Sequence, residues 1–407
     1  MTGIGTGQPW LSIIGINEDG LSGLSAAATS LLAAAELVVG GKRHLQLAGA
    51  KARRTLAWPS PMDAGIAEVL SMRGRPVVVL ASGDPFHHGI GAVLARQLTF
   101  GEYASYPQPS SFSLAANRLG WTLQDTLTIG INGRAIERLI PLLQPGVRIL
   151  ALSADATTPK AVANLLAERG FGRSRVTVLE ALGGPRERAR ARGAQAFDLM
   201  DINPLNIIAI ELAADPGARC VPLCPGLADE WYETDGQLTK WEIRALTIAS
   251  LAPKRGEHLW DIGCGSGSVA IEWMLADPSC RATGIELRSD RGARAARNAL
   301  NLGVPGLNVE IGNAADLLHR LDSAQAVFVG GGAREPGLLD RIWAALPGGG
   351  RLVVNAVTLE TEALVLSEFT RKGGSLTRVA IDRADPVGGL TAWRPAMPIL
   401  HWLAVKP

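Results

Sequence analysis

The chain has 407 residues, of which 47% are hydrophobic and 19% charged, with a formal net charge of +2. That balance excludes an intrinsically disordered chain, and the length allows two domains with cores of their own. Near-neutral charge removes any global demand for nucleic acid or an anionic membrane surface, and no apolar run approaches the length of a bilayer-spanning helix.

Residues 1–10 carry neither a basic region nor a long apolar stretch, so no secretory leader and a cytoplasmic location are expected. Short apolar runs then alternate with helical patterns. Strands are predicted over 11–16, 77–80, 127–129, 148–152, 175–179 and 206–211, with an Ala/Leu-rich helix from 24 that turns strand-like at Leu37-Val38-Val39. This βα alternation predicts a mostly parallel sheet. The stretch 213–226 is rich in Ala, Pro and Gly without periodicity and reads as a linker, so the domains are set at 1–215 and 216–407.

The second half repeats the alternation. Strands are expected at 258–261, 281–286, 307–311, 326–329 and 351–354, with helices over 269–275, 290–302, 338–346 and 361–371 between and after them. Two strands in succession, 375–381 and 398–405, close a seven-stranded pattern with an antiparallel pair. The predicted fold class is therefore α/β with two domains, the second Rossmann-like. The four cysteines, Cys220, Cys224, Cys264 and Cys280, have no metal-ligand spacing and read as reduced thiols, and no metal is expected.

The most informative segment is Trp260-Asp261-Ile262-Gly263-Cys264-Gly265-Ser266-Gly267-Ser268. It reads as a strand end, a glycine-rich turn and a helix start. Three alternating glycines let a ligand approach the backbone without Cβ obstruction. A dinucleotide fingerprint would need glycine where Ser268 stands. Asp-x-Gly-x-Gly-x-Gly instead resembles the S-adenosylmethionine site of class I methyltransferases. Ligands of open α/β sheets sit at the carboxyl ends of the strands. The first strand end offers Asp261, Gly263, Cys264, Gly265, Ser266 and Gly267 with the amides of a helix N-terminus. The second offers Glu286, whose carboxylate can accept ribose hydroxyls; the third offers Asn313 and Ala314 near the adenine; the fourth offers Gly331 and Gly332 toward the methyl acceptor.

The first half carries a second set of motifs. Gly83-Asp84-Pro85 after a buried strand, Pro109-Ser110-Ser111-Phe112-Ser113, Gly120-Trp121, Gly40-Gly41-Lys42-Arg43-His44-Leu45 and 151–159 resemble, in order, the tetrapyrrole methylase family. Asp235-Gly236-Gln237-Leu238-Thr239-Lys240, Glu242-Ile243-Arg244 and Gly349 through Glu360 extend the match through the second half. The whole chain thus resembles the bifunctional, decarboxylating precorrin methyltransferases of cobalamin biosynthesis. The resemblance implies S-adenosylmethionine held by Gly83, Asp84, Pro85, Ser110 and Ser111 in the first domain, and by Thr239 with the glycine turn in the second. It implies methylation of precorrin-6Y at carbons 5 and 15 with loss of an acetate carboxyl, giving precorrin-8X. By that analogy the first domain serves carbon 5, and the second serves carbon 15 and the decarboxylation. Motif position offers Glu272, Asn355 and Glu360 as proton donors and Arg244 as a partner for a substrate acetate.

One departure is local. The family's opening turn usually reads Gly-x-Gly-Pro-Gly, whereas this chain has Gly15-Ile16-Asn17-Glu18-Asp19-Gly20. The basic stretches Lys42-Arg43-His44 and Arg53-Arg54 either steer a polyanionic tetrapyrrole or form solvated surface, and Arg186 to Arg192 reads as an exposed segment. A precorrin substrate, no nucleic acid, no membrane and a homo-oligomeric assembly are the expected partners. Two alternatives stay open: an RNA methyltransferase, since relatives of the first-half family include ribosomal RNA methylases, and a non-catalytic, donor-sensing first domain.

Overall fold

The structure, a computed structural model, describes residues 9–49 and 53–407. The first eight residues, part of the stretch expected to lack a leader, lie outside the described residues. Contacts divide the chain into two units, one running to Ile136 and resuming over Gln144–Arg219, the other comprising Glu137–Leu143 and Cys220–Pro407. Among the described residues no helix is long and apolar enough to cross a membrane.

The first unit contains two five-stranded sheets rather than one series. The first is wholly parallel: β1 (Leu11–Ile16), β2 (Leu37–Gly40), β3 (Arg54–Ala57), β4 (Val77–Ser82) and β5 (Tyr103–Tyr106) in the order β3-β2-β4-β1-β5. Its central strands are continuous apolar runs buried on both faces, as parallel strands must be. Leu11, Ile13, Val77 and Val79 pack on one side, and Ile14, Ile16, Val78 and Leu80 on the other. The edge strands β3 and β5 escaped the sequence reading because they are short, half-exposed and lack an apolar run.

The second sheet comprises β6 (Thr126–Gly130), β7 (Arg148–Leu152), β8 (Arg175–Glu180), β9 (Arg188–Gly193) and β10 (Asn206–Glu211), in the order β6-β7-β10-β8-β9. Only β6 and β7 are parallel; β10 runs antiparallel to both β7 and β8, and β9 antiparallel to β8. This corrects the expectation of a mostly parallel sheet here. The Arg-Ala-Arg-Ala-Arg-Gly run, expected as an exposed segment, is edge strand β9. Its alternate arginines Arg188 and Arg190 converge on Glu180, which is buried in β8. Charged side chains on an edge strand also guard it against pairing with another chain.

The second unit is built on one seven-stranded sheet. It contains β11 (His258–Ile262), β12 (Arg281–Glu286), β13 (Asn308–Ile311), β14 (Ala326–Val329), β15 (Arg351–Ala356), β16 (Ser375–Val379) and β19 (Ile399–Val405). The order is β13-β12-β11-β14-β15-β19-β16, with β19 the single antiparallel member. The two closing strands are antiparallel neighbours as expected. Between them lies an unanticipated two-stranded sheet, β17 (Asp382–Val387) with β18 (Leu390–Pro395). Trp260, Ile262, Val327, Val329, Leu352, Val354 and Trp402 form the core on one face of the sheet. The switch point falls between β11 and β14, where crossovers leave in opposite directions and a crevice opens at the strands' carboxyl ends.

Close backbone approach fixes the first unit's crevice. A Cβ on Gly15, in β1, would stand 1.8 Å from the carbonyl oxygen of Gly83 at the end of β4. That carbonyl already accepts the Gln108 amide at 3.1 Å, so it has nowhere to move. Gly15→Ala is therefore expected to destabilise the first unit by about 3 kcal/mol, as over-packing against backbone does. Urea unfolding measures it; an unchanged midpoint contradicts the assigned register.

Candidate methyl-donor sites

In the second unit β11 ends at Ile262, and Gly263, Gly265 and Gly267 take φ of 71°, 56° and 78°, all left-handed. Side chains rarely adopt that region, which is why glycine alternates here. The turn is anchored by the amides of Gly263 and Cys264, which donate to the Ile285 carbonyl at 2.9 and 3.1 Å. A Cβ at Gly263 would lie 2.9 Å from the Cα of Gly331, so the loop after β14 rests directly on the turn. The helix Ser268–Ala276 begins immediately afterwards.

Asp261 sits beneath this turn, buried to 1% exposure. Its Oδ2 accepts the Ala270 amide at 3.0 Å, while its Oδ1 is buried and finds no partner in the protein. Burial, with the Glu286 carboxylate adding repulsion against the relief given by the Ala270 amide, pushes its pKa up to about 7. A nearby cationic group would reverse that shift. Glu286, at the end of β12, is also buried; Oε2 accepts the Gly265 amide at 2.9 Å and Oε1 the Arg288 amide at 3.0 Å. Each oxygen keeps a second lone pair for a ligand hydroxyl. Asn313 caps the short helix after β13 by accepting the Ala315 amide at 2.9 Å, and Ala314 is buried beside it. The thiol of Cys264 is buried and its pKa is pushed up, so it stays protonated.

A strap that carries the Asp235–Lys240 motif runs along this turn. The Gln237 carbonyl lies 3.9 Å from where a Gly265 Cβ would be. Asn298 holds the strap and the turn together: its Nδ2 donates to the carbonyls of Glu233 and Ser266, each at 2.9 Å, and its Oδ1 accepts the Glu233 amide at 2.8 Å. Thr239, at the end of the strap, is half-buried and gives its carbonyl to Arg244. The structure thus gathers Asp261, Gly263, Cys264, Gly265, Ser266, Gly267, Glu286, Asn313, Ala314, Gly331 and Gly332 at one edge of one sheet.

Two sequence assignments need correction. Arg244, expected to meet a substrate acetate, is completely buried, and Glu272, expected as a proton donor, is 2% exposed. They pair with each other. Glu272 further accepts the amides of Gly226 at 2.6 Å and Leu227 at 3.0 Å and the Tyr232 hydroxyl at 3.0 Å. Arg244 also donates to the carbonyls of Leu227 and Thr239 and to Asp229 Oδ1 at 3.4 Å, and lies over the Tyr232 ring at 4.7 Å. Nothing is left for a substrate. A buried pair of this kind, hydrogen-bonded on both sides, fastens the strap's root to the helices Trp241–Leu251 and Ser268–Ala276.

Glu360 is exposed on the first turn of the helix Leu359–Lys372. Backbone amide and Thr358 hydrogen bonds hold its carboxyl below the usual range, so it is no proton donor near neutrality. Asn355, at the end of β15, is half-buried. Its Nδ2 donates to Thr247 at 3.0 Å, and its Oδ1 lies 2.7 Å from His401 Nδ1, whose Nε2 lies 2.9 Å from Ser250. Desolvation lowers the His401 pKa, so the neutral ring donates to Asn355 and accepts from Ser250. This chain was invisible in sequence, because His401 sits inside an apolar strand.

The first unit places its motifs around a cleft lined by the ends of β1, β4 and β8 and the start of β10. Gly83 has φ of 53°, and a Cβ there would be 2.9 Å from the Pro109 carbonyl, so the 83–85 turn and the 109–111 segment lie side by side. Asp84 Oδ1 accepts the Phe86 amide at 2.8 Å and shapes the turn before Pro85. Ser110 caps the helix Ser111–Leu119 by accepting the Ser113 amide at 3.2 Å, while Ser111 lines the cleft. His87 and His88 stack on each other and approach the ring of Phe112.

Two α/β units, each with a glycine turn at the carboxyl ends of parallel strands, define a two-domain methyltransferase. Residues 11–194 match the tetrapyrrole (corrin/porphyrin) methylases and residues 230–406 the precorrin methyltransferase domain. A Sinorhizobium sp. protein named precorrin-6Y C(5,15)-methyltransferase [decarboxylating] is 51% identical over 98% of this chain and 97% of its own. A Saccharolobus solfataricus protein named probable cobalt-precorrin-6B C(15)-methyltransferase (decarboxylating) is 35% identical over 45% of this chain and 96% of its own. The C-terminal domain of precorrin-6Y C5,15-methyltransferase from Rhodobacter capsulatus, a solved structure, is 43% identical over 46% of this chain and all of that one, with a TM-score of 0.44. The chain belongs to the family of decarboxylating precorrin-6Y C(5,15)-methyltransferases, enzymes of cobalamin biosynthesis that require a methyl donor.

Asp261 supplies a pH test. Its folded pKa of about 7 lies above the ordinary 3.8, so the native state binds the extra proton and loses that stabilisation as pH rises from about 4 through 7. Asp261→Asn removes this dependence. The stability of the wild type relative to the variant is expected to fall by on the order of 4 kcal/mol across that interval. Urea unfolding of both proteins at pH 4 and pH 8 checks it; parallel profiles contradict the assigned burial.

Proposed function

We propose that this enzyme methylates precorrin-6Y at carbons 5 and 15 and removes carbon dioxide from an acetate arm, giving precorrin-8X. S-adenosylmethionine is the donor in both units and supplies an electrophilic sulfonium methyl. The observation that carries this reading is the partnerless Asp261 oxygen beneath a left-handed glycine turn, with Glu286 alongside. A buried carboxylate without a countercharge suits a cationic amino-acid ligand, and a second carboxylate at the next strand end suits a ribose. In the second unit Gly263, Cys264, Gly265, Ser266, Gly267, Thr239, Asn313 and Ala314 complete the donor site. In the first, Gly83, Asp84, Pro85, Ser110 and Ser111 do so.

The chemistry asks little covalent work of the protein. A meso carbon between pyrrole rings is an enamine-like nucleophile; it forms a bond to the methyl carbon as the carbon–sulfur bond breaks toward sulfur. The turns Gly263–Gly267 and 83–85 hold the donor in line and exclude water. In decarboxylation the electrons of the breaking carbon–carbon bond flow into the protonated macrocycle, which is the sink. With Arg244 and Glu272 committed to the buried lock, neither takes part. A relative named for carbon 15 and the decarboxylation matches less than half of this chain, which supports one unit serving those steps and the other carbon 5; we assign them to the second and first units respectively. Four unpaired cysteines agree with a cytoplasmic location, and a homo-oligomer remains the proposed assembly.

Mass spectrometry of the tetrapyrrole after incubation with the full chain and donor tests the proposal. The expected product has gained two methyl groups and lost one carbon dioxide. A product with methyls on neither meso carbon, or retaining every carboxyl, contradicts it.

A further inference from the structure

The turn after β1 departs from the family's glycine-and-proline pattern, and the cleft shows what stands in its place. Glu18 lines the cleft with its side chain only 7% exposed. Two arginines close on it from different elements. Arg43, from the helix Lys42–Leu47, pairs with Oε1 and itself lines the cleft. Arg186, from the turn between β8 and β9, reaches Oε2 at 3.7 Å from a largely exposed position. A Cβ on Gly184 would stand 2.5 Å from the Glu18 Cβ, so that turn packs directly against the carboxylate.

The charges do not cancel. Two guanidiniums face one carboxylate, and Glu18 and Arg43 are the only charged residues lining this cleft among the described residues. The rest of the lining is apolar or neutral, including Ile16, Ser82, Ser111 and Leu179. Arg43 is also fixed by Ser82 Oγ at 2.9 Å and by the His44 ring, whose pKa burial and the Arg43 charge push down to about 4, so the ring adds no charge. One positive charge is left over, shared between a guanidinium fixed in the cleft wall and a second that reaches toward it from an exposed turn. Planar guanidinium is the group that receives a carboxylate in two parallel hydrogen bonds.

We propose that Arg43 and Arg186, spaced by Glu18, form a carboxylate clamp that docks one acidic side chain of the tetrapyrrole at the first unit. Glu18 is then a positioning residue and a placeholder: it occupies the guanidiniums until a substrate carboxylate competes for them. The proposal rests on the reading of the first unit as a tetrapyrrole methyltransferase and assigns the specificity-determining contacts within it.

Because the clamp is a competition, the two kinds of variant act in opposite directions. The experiment follows quenching of intrinsic fluorescence in the full-length chain on titration with uroporphyrin, a stable planar polycarboxylate. S-adenosylhomocysteine affinity and the thermal midpoint are measured alongside. Arg43→Gln and Arg186→Gln are each expected to raise the uroporphyrin Kd about tenfold, the loss of one charge-assisted contact. Glu18→Gln, which removes the competitor, is expected to lower it, with S-adenosylhomocysteine binding unchanged in all three. Should Arg43→Gln fail to fold, Arg186→Gln, 72% exposed, carries the test. Weakening by Glu18→Gln to the same extent as the arginine variants, or an unchanged Kd in Arg186→Gln, overturns the clamp and leaves an ordinary structural ion pair. A wild type that binds S-adenosylhomocysteine but no uroporphyrin overturns the reading of the first unit, and the clamp with it.

Discussion

A carboxylate kept out of water at the end of a central strand is the constraint around which the second unit is arranged. The Ala270 amide answers one oxygen of the buried Asp261; the other finds no partner in the protein. An isolated buried charge is costly, and the rise in its pKa expresses that cost. Around that spot stand three left-handed glycines, a second carboxylate oriented by backbone amides, and a strap tied down by Asn298 on one side and the Arg244–Glu272 pair on the other. Stability and function are in tension here, as they often are at binding sites.

The two units reach a similar solution by different sheets. In each, parallel strands deliver a turn at their carboxyl ends, and a neighbouring strand end touches that turn with no side chain between: Gly15 against Gly83 in one, Gly263 against Gly331 in the other. The first unit adds a mixed second sheet whose β8 and β10 supply the far wall of its cleft. The second needs no such wall, because its seven-stranded sheet offers a switch point between β11 and β14.

Much of this was legible in the residues. The Asp261–Ser268 turn and the apolar strands of both halves announced themselves, since glycine spacing and buried strands are local signals. The antiparallel placement of β10 was not legible, because Asn206–Glu211 is apolar throughout and would suit either direction. Edge strands β3, β5 and β9 were hidden by exposure, and β17 and β18 by the polar and proline-containing run that forms them. Arg244 and Glu272 misled for a different reason: charged residues inside a motif suggest chemistry, and only burial shows that they answer each other. Likewise nothing local to the Gly15–Gly20 turn showed that Glu18 meets two arginines from distant elements.

The central claim is that one chain contains two independent donor clefts. Calorimetric titration of the full-length protein with S-adenosylhomocysteine tests it most directly. Two equivalents bound per chain are predicted; saturation at a single equivalent, or no heat of binding at all, would contradict the account.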